Sequence, residues 1–385
     1  MAAKVSFFPV ANGDMALVKT DKGNHVLIDI NIRKAADDPD DKTPDVAKQL
    51  KDRLPKDSDG RPYVDAMLLS HPDQDHCRGL KAHFHLGPLA DYVKDSGKIV
   101  IREMWSSPIL FRRKNAKDHN LCEDAETWAA EARRRVRRFK DLGYCPTNER
   151  ILILGEDIDG KTDDLTAILV KVDENWTKIN GTEDGTFSAD LLAPLPSIDE
   201  EEEEVLSKNN SSVISLIQLS SGTTADSCRL LVGGDAEVAI WERLWDRHSE
   251  NAAQRLGYDL LLAPHHCSWH SLSWDSWSEL GEDAEVSEDA RSALGQPRAG
   301  AVVVASSKTI TDDDSDPPCI RAKREYKAIL KGVSGEFICV ADEGDEPVEF
   351  DVKAGGLERI AKKEAVPAQA RVAPAIIGAR PIRHG

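Results

Sequence analysis

Long apolar runs are missing from this chain. None approaches the ~20 residues that a membrane-spanning helix needs, and the longest, such as Ala301 to Ala305, are strand-sized. The first ten residues lack the apolar centre and small-residue cleavage site of a secretory signal. The expectation is a soluble, cytoplasmic protein with no membrane partner. No Cys-x-x-Cys pair occurs among the seven cysteines. That argues against a disulfide framework and against a four-cysteine zinc site, so most thiols are expected to pack as small hydrophobes. Long internal repeats are absent. Positive charge is in deficit: 50 Lys and Arg stand against 68 Asp and Glu, for a formal net charge of -18. A broad grip on nucleic acid works through cations that displace counterions from phosphate, and this balance excludes one. A local grip stays open. Arg133, Arg134, Arg135, Arg137 and Arg138 form a dense basic stretch, with Arg112, Arg113, Lys114 and Lys117 upstream. The stretch is either a solvated helix face balanced by acids or a patch that faces phosphate.

What is present is enough for a large core. Of 385 residues, 40% are hydrophobic and 31% charged, which suits one large α/β domain or two ordinary ones. The chain opens as an antiparallel meander: Val5 to Val10, Met15 to Thr20 and His25 to Ile30, joined by turns at Asn12-Gly13-Asp14 and Asp21 to Asn24. Pro44 starts a helix to about Asp52. Ala66 to Ser70 reads as a buried strand, and residues 123 to 142 read as a helix ended by Gly143. Later strands are expected at Arg150 to Gly155, Ala167 to Val172, Ala189 to Leu192, Ser212 to Leu219, Arg229 to Val232, Leu260 to Ala263, Ala301 to Ala305 and Gly335 to Val340. Helices are expected at Val238 to Trp245 and Arg321 to Lys331. The acidic run after Asp199 reads as a solvated loop. Two halves meet near residue 150, consistent with two mixed sheets face to face and helices outside. The domain is taken as residues 1–353. Residues 354–385 carry six basic and two acidic side chains and read as a flexible basic tail, a possible arm for a protein partner or a second copy of the chain.

Chemistry concentrates at three strand ends. His71-Pro72-Asp73-Gln74-Asp75-His76 puts four potential metal ligands within six residues, just after a strand. Carboxylates this close repel unless a cation or donors neutralise them, and the mixed N/O set suits zinc, manganese or iron. Leu230-Leu231-Val232-Gly233-Gly234-Asp235 ends another strand in an acid, reached through two glycines. Taken alone, Asp235 could equally cap a helix. Leu260 to Ala263 is followed by Pro264-His265-His266-Cys267-Ser268-Trp269-His270. Seven of the eleven histidines fall within residues 71–85 and 265–270.

Together these pieces resemble the metallo-β-lactamase fold superfamily, and within it the soluble metallohydrolase domain of ComEC-type competence proteins. The likeness spans residues 4 to 345. It also includes Val26-Leu27-Ile28-Asp29 and Asn209-Asn210-Ser211-Ser212. It implies a four-layer αββα sandwich with two divalent metal ions, zinc or manganese with magnesium a further option, at one edge of the sheets. By the same likeness His71 and Asp73 bind one ion, Asp75 and His76 the other, and Asp235 bridges. His265 completes the second site, with His266 as its competitor. Asp75 orients a metal-activated water, His266 or His270 assists the leaving group, and Asn210 and Ser268 are candidate substrate contacts. Asp14 and Asp29 support the metal loops, and His83 and His85 lie outside the site. The chain departs from the superfamily at several points. Asp73 stands where His is usual, Asn209-Asn210 where another His ligand is usual, and Asp316-Pro317 where a His-Pro pair is usual. The implied function is a metal-dependent hydrolase of phosphodiesters, foremost a nuclease. The alternatives are a hydrolase of a small substrate (a cyclic nucleotide, phosphoester or lactone) and a non-catalytic partner subunit.

Overall fold

The computed structural model describes residues 2–38, 40–112, 121–196 and 208–361. The acidic run after Asp199, the basic residues Arg113, Lys114 and Lys117, and the tail beyond residue 361 lie outside the described residues. So does the side chain of Arg112.

The architecture is mixed α/β with two large sheets. The first has ten strands. Its path runs Gly356–Arg359, Val348–Lys353, Ala3–Phe7, Ala16–Lys19, His25–Ile28, Tyr63–Leu68, Ile99–Ser106, Arg150–Leu154 and Leu169–Val170, with Phe84–His85 joined to Ile99–Ser106. The pairing is antiparallel as far as His25–Ile28 and parallel from there on. The second sheet has seven strands in the order Asn175–Trp176, Phe187–Ala193, Ile214–Ser221, Thr224–Val232, Tyr258–Leu262, Pro297–Ala305 and Glu336–Cys339. It too turns parallel part-way, from Thr224–Val232 onward.

Strand periodicity explains how the second sheet is buried on both faces. Leu230, Val232, Leu260, Leu262, Val302 and Val304 share a core with the first sheet. Their neighbours Leu231, Leu261, Val303 and Ala305 pack with Trp241, Leu244, Ala322 and Tyr326 of the helices Val238–His248 and Ile320–Lys331. The first sheet is covered by Val46–Arg53 and by the 20-residue helix Glu123–Leu142. That helix buries Ala125, Trp128, Ala129 and Ala132, and it stops at Gly143, which takes the left-handed conformation (φ 76°) and donates its N–H to Phe139 O.

Two expected boundaries move. The change from one sheet to the other falls between Val170 and Asn175, not near residue 150, because Arg150–Leu154 and Leu169–Val170 extend the first sheet in parallel. Residues 354–359, expected to begin the tail, instead close a hairpin. Lys353 pairs with Gly356 across the two-residue turn Ala354-Gly355, and Leu357 packs against the core. The strand expected at Ala167 to Val172 shrinks to Leu169–Val170, after a 3₁₀ turn over Asp163–Ile168. All seven cysteines are free thiols. Among the described residues, no helix is long and apolar enough to cross a membrane.

Candidate metal centre

The parallel strands of both sheets deliver their C-terminal ends to one region, the usual place for a site in an open α/β sheet. From the first sheet come Asp29, just after His25–Ile28, and the segment Ser70–Cys77, just after Tyr63–Leu68. From the second come Asp235 after Thr224–Val232 and His265-His266 after Tyr258–Leu262. The turn Asn12-Gly13-Asp14 joins the two sets. Ser306 Oγ donates to Gly13 O at 2.6 Å, and Asp14 N donates to Asp75 O at 3.2 Å.

Four buried residues converge here. Asp14, His76, Asp235 and His266 each offer one ligand atom, and these atoms lie within 4.8 Å of one another, a group able to hold a metal ion. His76 Nε2 is 2.9 Å from Asp235 Oδ1. His266 Nε2 is 3.3 Å from Asp75 Oδ2 and 3.6 Å from Asp235 Oδ1. The other nitrogens of both rings face carboxylates behind them. His76 Nδ1 is 2.9 Å from Asp29 Oδ2, and His266 Nδ1 is 3.4 Å from Asp14 Oδ1. At His76 the Asp29 carboxylate fixes the proton on Nδ1 and turns the Nε2 lone pair inward, whereas His266 Nδ1 and Asp14 Oδ1 form no aligned hydrogen bond.

The inward atoms are left unsatisfied. His76 Nε2, His266 Nε2 and Asp235 Oδ1 are buried, and none forms an aligned hydrogen bond despite the short separations. Buried polar atoms are almost always hydrogen-bonded, so a cluster of exceptions facing one point needs a cause. Charge gives the same answer. Four carboxyl groups, Asp14, Asp29, Asp75 and Asp235, crowd around the two imidazoles of His76 and His266. Burial drives the Asp235 carboxyl up, but His76, His266 and His265 outweigh it and hold it well below the usual carboxylate range. Burial also opposes ionisation of Asp75, yet His266 and His76 bring it down to about 2. For His266 burial disfavours the cation, and Asp235, Asp14 and Asp75 override it to about 10. His76 likewise rises well above its ordinary value, burial being outweighed by Asp235 and Asp29. Without a cation the site attracts protons, and a dication would take their place. The residues present therefore fit a metal.

Backbone conformation decides which histidine points in. His265, His266 and Cys267 all have positive φ, at 49°, 52° and 68°. Left-handed non-glycine residues cost about 1–2 kcal/mol each and gather at functional sites. Here His265 N donates to Gly234 O at 2.9 Å, and Cys319 N donates to Cys267 O at 3.0 Å, which hold the turn. The turn buries His266 among the carboxylates. His265 stands at the rim, 3.9 Å from Asp235 Oδ2 and 3.8 Å from Glu237 Oε1. The four-residue group thus includes His266 and not His265.

The other expected residues lie outside this group, His71 close by with its ring 5.4 Å from that of His76. His71 is fully buried, with Nε2 3.3 Å from Asp73 Oδ2 and Nδ1 3.5 Å from Ser212 Oγ. The Asp73 side chain is 63% exposed. Ser212 also accepts a bond from Asp235 N at 3.1 Å, so a hydroxyl three residues past Asn209 occupies the place beside His71. Asn209 and Asn210 brace Glu237 instead: Asn209 Nδ2 donates to its carboxylate at 2.8 Å, and Asn210 Oδ1 accepts from its N–H at 3.1 Å. Ser268, expected to contact substrate, is fully buried, and its hydroxyl accepts from His270 N at 3.1 Å. His270 is 41% exposed and lies 3.9 Å from Asp316 Oδ2, and Asp316 accepts from Trp269 N. His85 bonds the Pro88 carbonyl and stacks near Tyr92. Asp14 was expected only to support the metal loops; its carboxylate beside His266 depends on a contact between the two sheets, which no local spacing signals.

No protein-family model matches this chain. No curated protein matches it. Among solved structures it is similar to the crystal structure of unliganded yeast PDE1, at 12% sequence identity and a TM-score of 0.36, over 88% of this chain and 96% of that one. At that score the likeness carries no argument, and the chemistry rests on the cluster itself.

Proposed function

We propose that this chain is a metal-dependent hydrolase of phosphodiesters. The observation that supports this is the convergence of buried, unsatisfied His76 Nε2, His266 Nε2 and Asp235 Oδ1 beside the partly exposed Asp75. In this reading Asp14, His76, Asp235 and His266 would hold one divalent ion, with Asp75 beside them. His71 and Asp73 would hold a second, more open one. The N/O donor set suits zinc or manganese, with magnesium a weaker fit. Such ions supply Lewis acidity and bring the pKa of water toward neutrality. Asp29 keeps His76 in the ligating tautomer. Asp75, at the exposed lip, orients the attacking water, and His270, steadied by Asp316, donates the proton to the leaving oxygen. We read the two sheets with their helices as a four-layer αββα arrangement, which puts this cluster at an open edge.

A small phosphodiester is favoured over a long nucleic acid. In the arginine run, Arg134 is bound by Glu131 and Glu149, and Arg135 is buried on Glu131 and two backbone carbonyls. Arg138 lies 3.8 Å from Glu149. Among the described residues of the run, Arg133 and Arg137 remain for a ligand, too few by themselves for a polymer grip.

The test is metal analysis of the purified protein beside turnover of bis-p-nitrophenyl phosphate with zinc, manganese or magnesium, and of oligonucleotides in parallel. Metal that copurifies, chelation that lowers both melting temperature and turnover, and loss of both in Asp235→Asn are expected. Absence of metal uptake and of turnover with all three ions overturns the reading.

A further inference from the structure

A second site lies along the same sheet edge. A pocket of about 430 Å³ opens between the helix Glu123–Leu142 and the ends of the strands Ile99–Ser106 and Arg150–Leu154. That volume is within the ordinary range for small-molecule pockets. The two strands are the next ones along from Tyr63–Leu68, which leads to His71. The pocket is thus one to two strands along from the strand that leads to the metal loop.

Its lining has two chemically distinct parts. Phe111, Val136, Ile153 and Leu165 make an apolar floor. Arg133, Arg137, Lys140 and Lys161 make a basic rim, with Asp157 as the one acid in the lining. Helix geometry produces this. Ala129, Ala132, Arg133, Val136, Arg137 and Lys140 recur at three- and four-residue spacing and so share one face. Arg134, Arg135 and Arg138 point elsewhere and are held by Glu131, Glu149 and backbone carbonyls. Lys140 and Lys161 have exposed acidic partners, Asp164 at 2.6 Å and Asp159 at 3.6 Å. Arg133 and Arg137 are exposed, and among the described residues neither is in an ion pair. Two unpaired guanidiniums four residues apart, over an apolar hollow, match a phosphate joined to a ring system. Arg is the side chain best shaped to hold phosphate oxygens in pairs.

We propose that this pocket binds a nucleotide, its base on the Phe111–Val136–Leu165 floor and its phosphate on Arg133 and Arg137. Binding here needs no metal and does not depend on the hydrolase reading. The test is calorimetric titration of the full-length protein with AMP and GMP, with adenosine and inorganic phosphate as the separated halves. At least one nucleotide is expected to bind at least tenfold more tightly than either half, and more weakly as salt rises. The double variant Arg133→Ala/Arg137→Ala is expected to lose at least tenfold in nucleotide affinity with an unchanged melting temperature, since both side chains are exposed. Arg138→Ala, which faces Glu149, is expected to bind as the parent does. No binding of either nucleotide up to millimolar concentration overturns the proposal. So does inorganic phosphate binding as tightly as the nucleotide, which marks a bare anion patch. Undiminished affinity in the double variant also overturns it, because the nucleotide then sits elsewhere, for instance on the metal cluster. Loss of turnover in Asp235→Asn with nucleotide binding intact keeps the two readings separate.

Discussion

Asp29 is the residue whose replacement tests the metal centre most sharply. Its backbone is left-handed (φ 51°), a conformation Asn also tolerates, so Asp29→Asn leaves the chain path alone. One carboxylate oxygen accepts from Ser70 N at 2.7 Å. The other meets both Ser70 Oγ and His76 Nδ1. In the variant the amide oxygen can keep the Ser70 N bond. The amide NH₂ then faces the two donors, His76 Nδ1–H and the Ser70 hydroxyl, where an acceptor is required. His76 escapes the clash by moving its proton to Nε2, which removes the lone pair aimed at Asp235 and the cation. Loss of a carboxylate behind a ligating histidine costs about 10–100-fold in metal affinity, equivalent to roughly 1.4–2.7 kcal/mol. Competition titration of the metal against a chromogenic chelator reads this directly, with melting of the chelated protein as the check on folding. An affinity within about twofold of the parent, in a variant that still melts cooperatively, refutes the argument that Asp29 sets the His76 tautomer.

Three further outcomes are expected. His266→Ala abolishes metal uptake while His265→Ala changes it less than about tenfold, because only His266 points into the carboxylates; equal losses in the two variants contradict that orientation. Gly234→Ala is destabilising by about 1–3 kcal/mol, since Gly234 has φ +49° and an added Cβ would lie 2.8 Å from Ser70 Oγ and 3.1 Å from Ser212; denaturant unfolding measures it, and an unchanged midpoint counts against the close approach. Glu131 gives a pH signature. Burial raises its carboxyl, but Arg134 and Arg135 outweigh burial and hold it below its ordinary 4.5. Its stabilisation is therefore complete above pH 4.5 and is lost as pH falls through the lowered folded value. Glu131→Gln should cost stability at pH 7 and flatten the decline below about pH 4.5, as read by unfolding at a series of pH values.

The sequence by itself carried the elements whose signals are local. The helix over 123–142 and its stop at Gly143 follow from helix-forming composition and a left-handed cap. The strands before His71, Asp235 and His265 follow from short apolar runs. The clustering of histidines at strand ends marked the place of the chemistry without any fold. What the sequence could not decide is what depends on distant segments meeting. Pro264-His265-His266 offers two imidazoles with equal local claims; a strained turn held by Gly234 and Cys319 gives the position to His266. Asp14 reads as a support of the metal loops until the second sheet brings His266 against it. Ser268 reads as a candidate substrate contact, and in the fold it is fully buried. The arginine run reads as one patch until helix geometry divides it into a buried, paired face and a free one. The physical reason is common to all four. Periodicity and backbone preference act over a few residues, whereas burial, charge pairing and ring orientation are set by neighbours tens or hundreds of residues away, and those exist only in the folded chain.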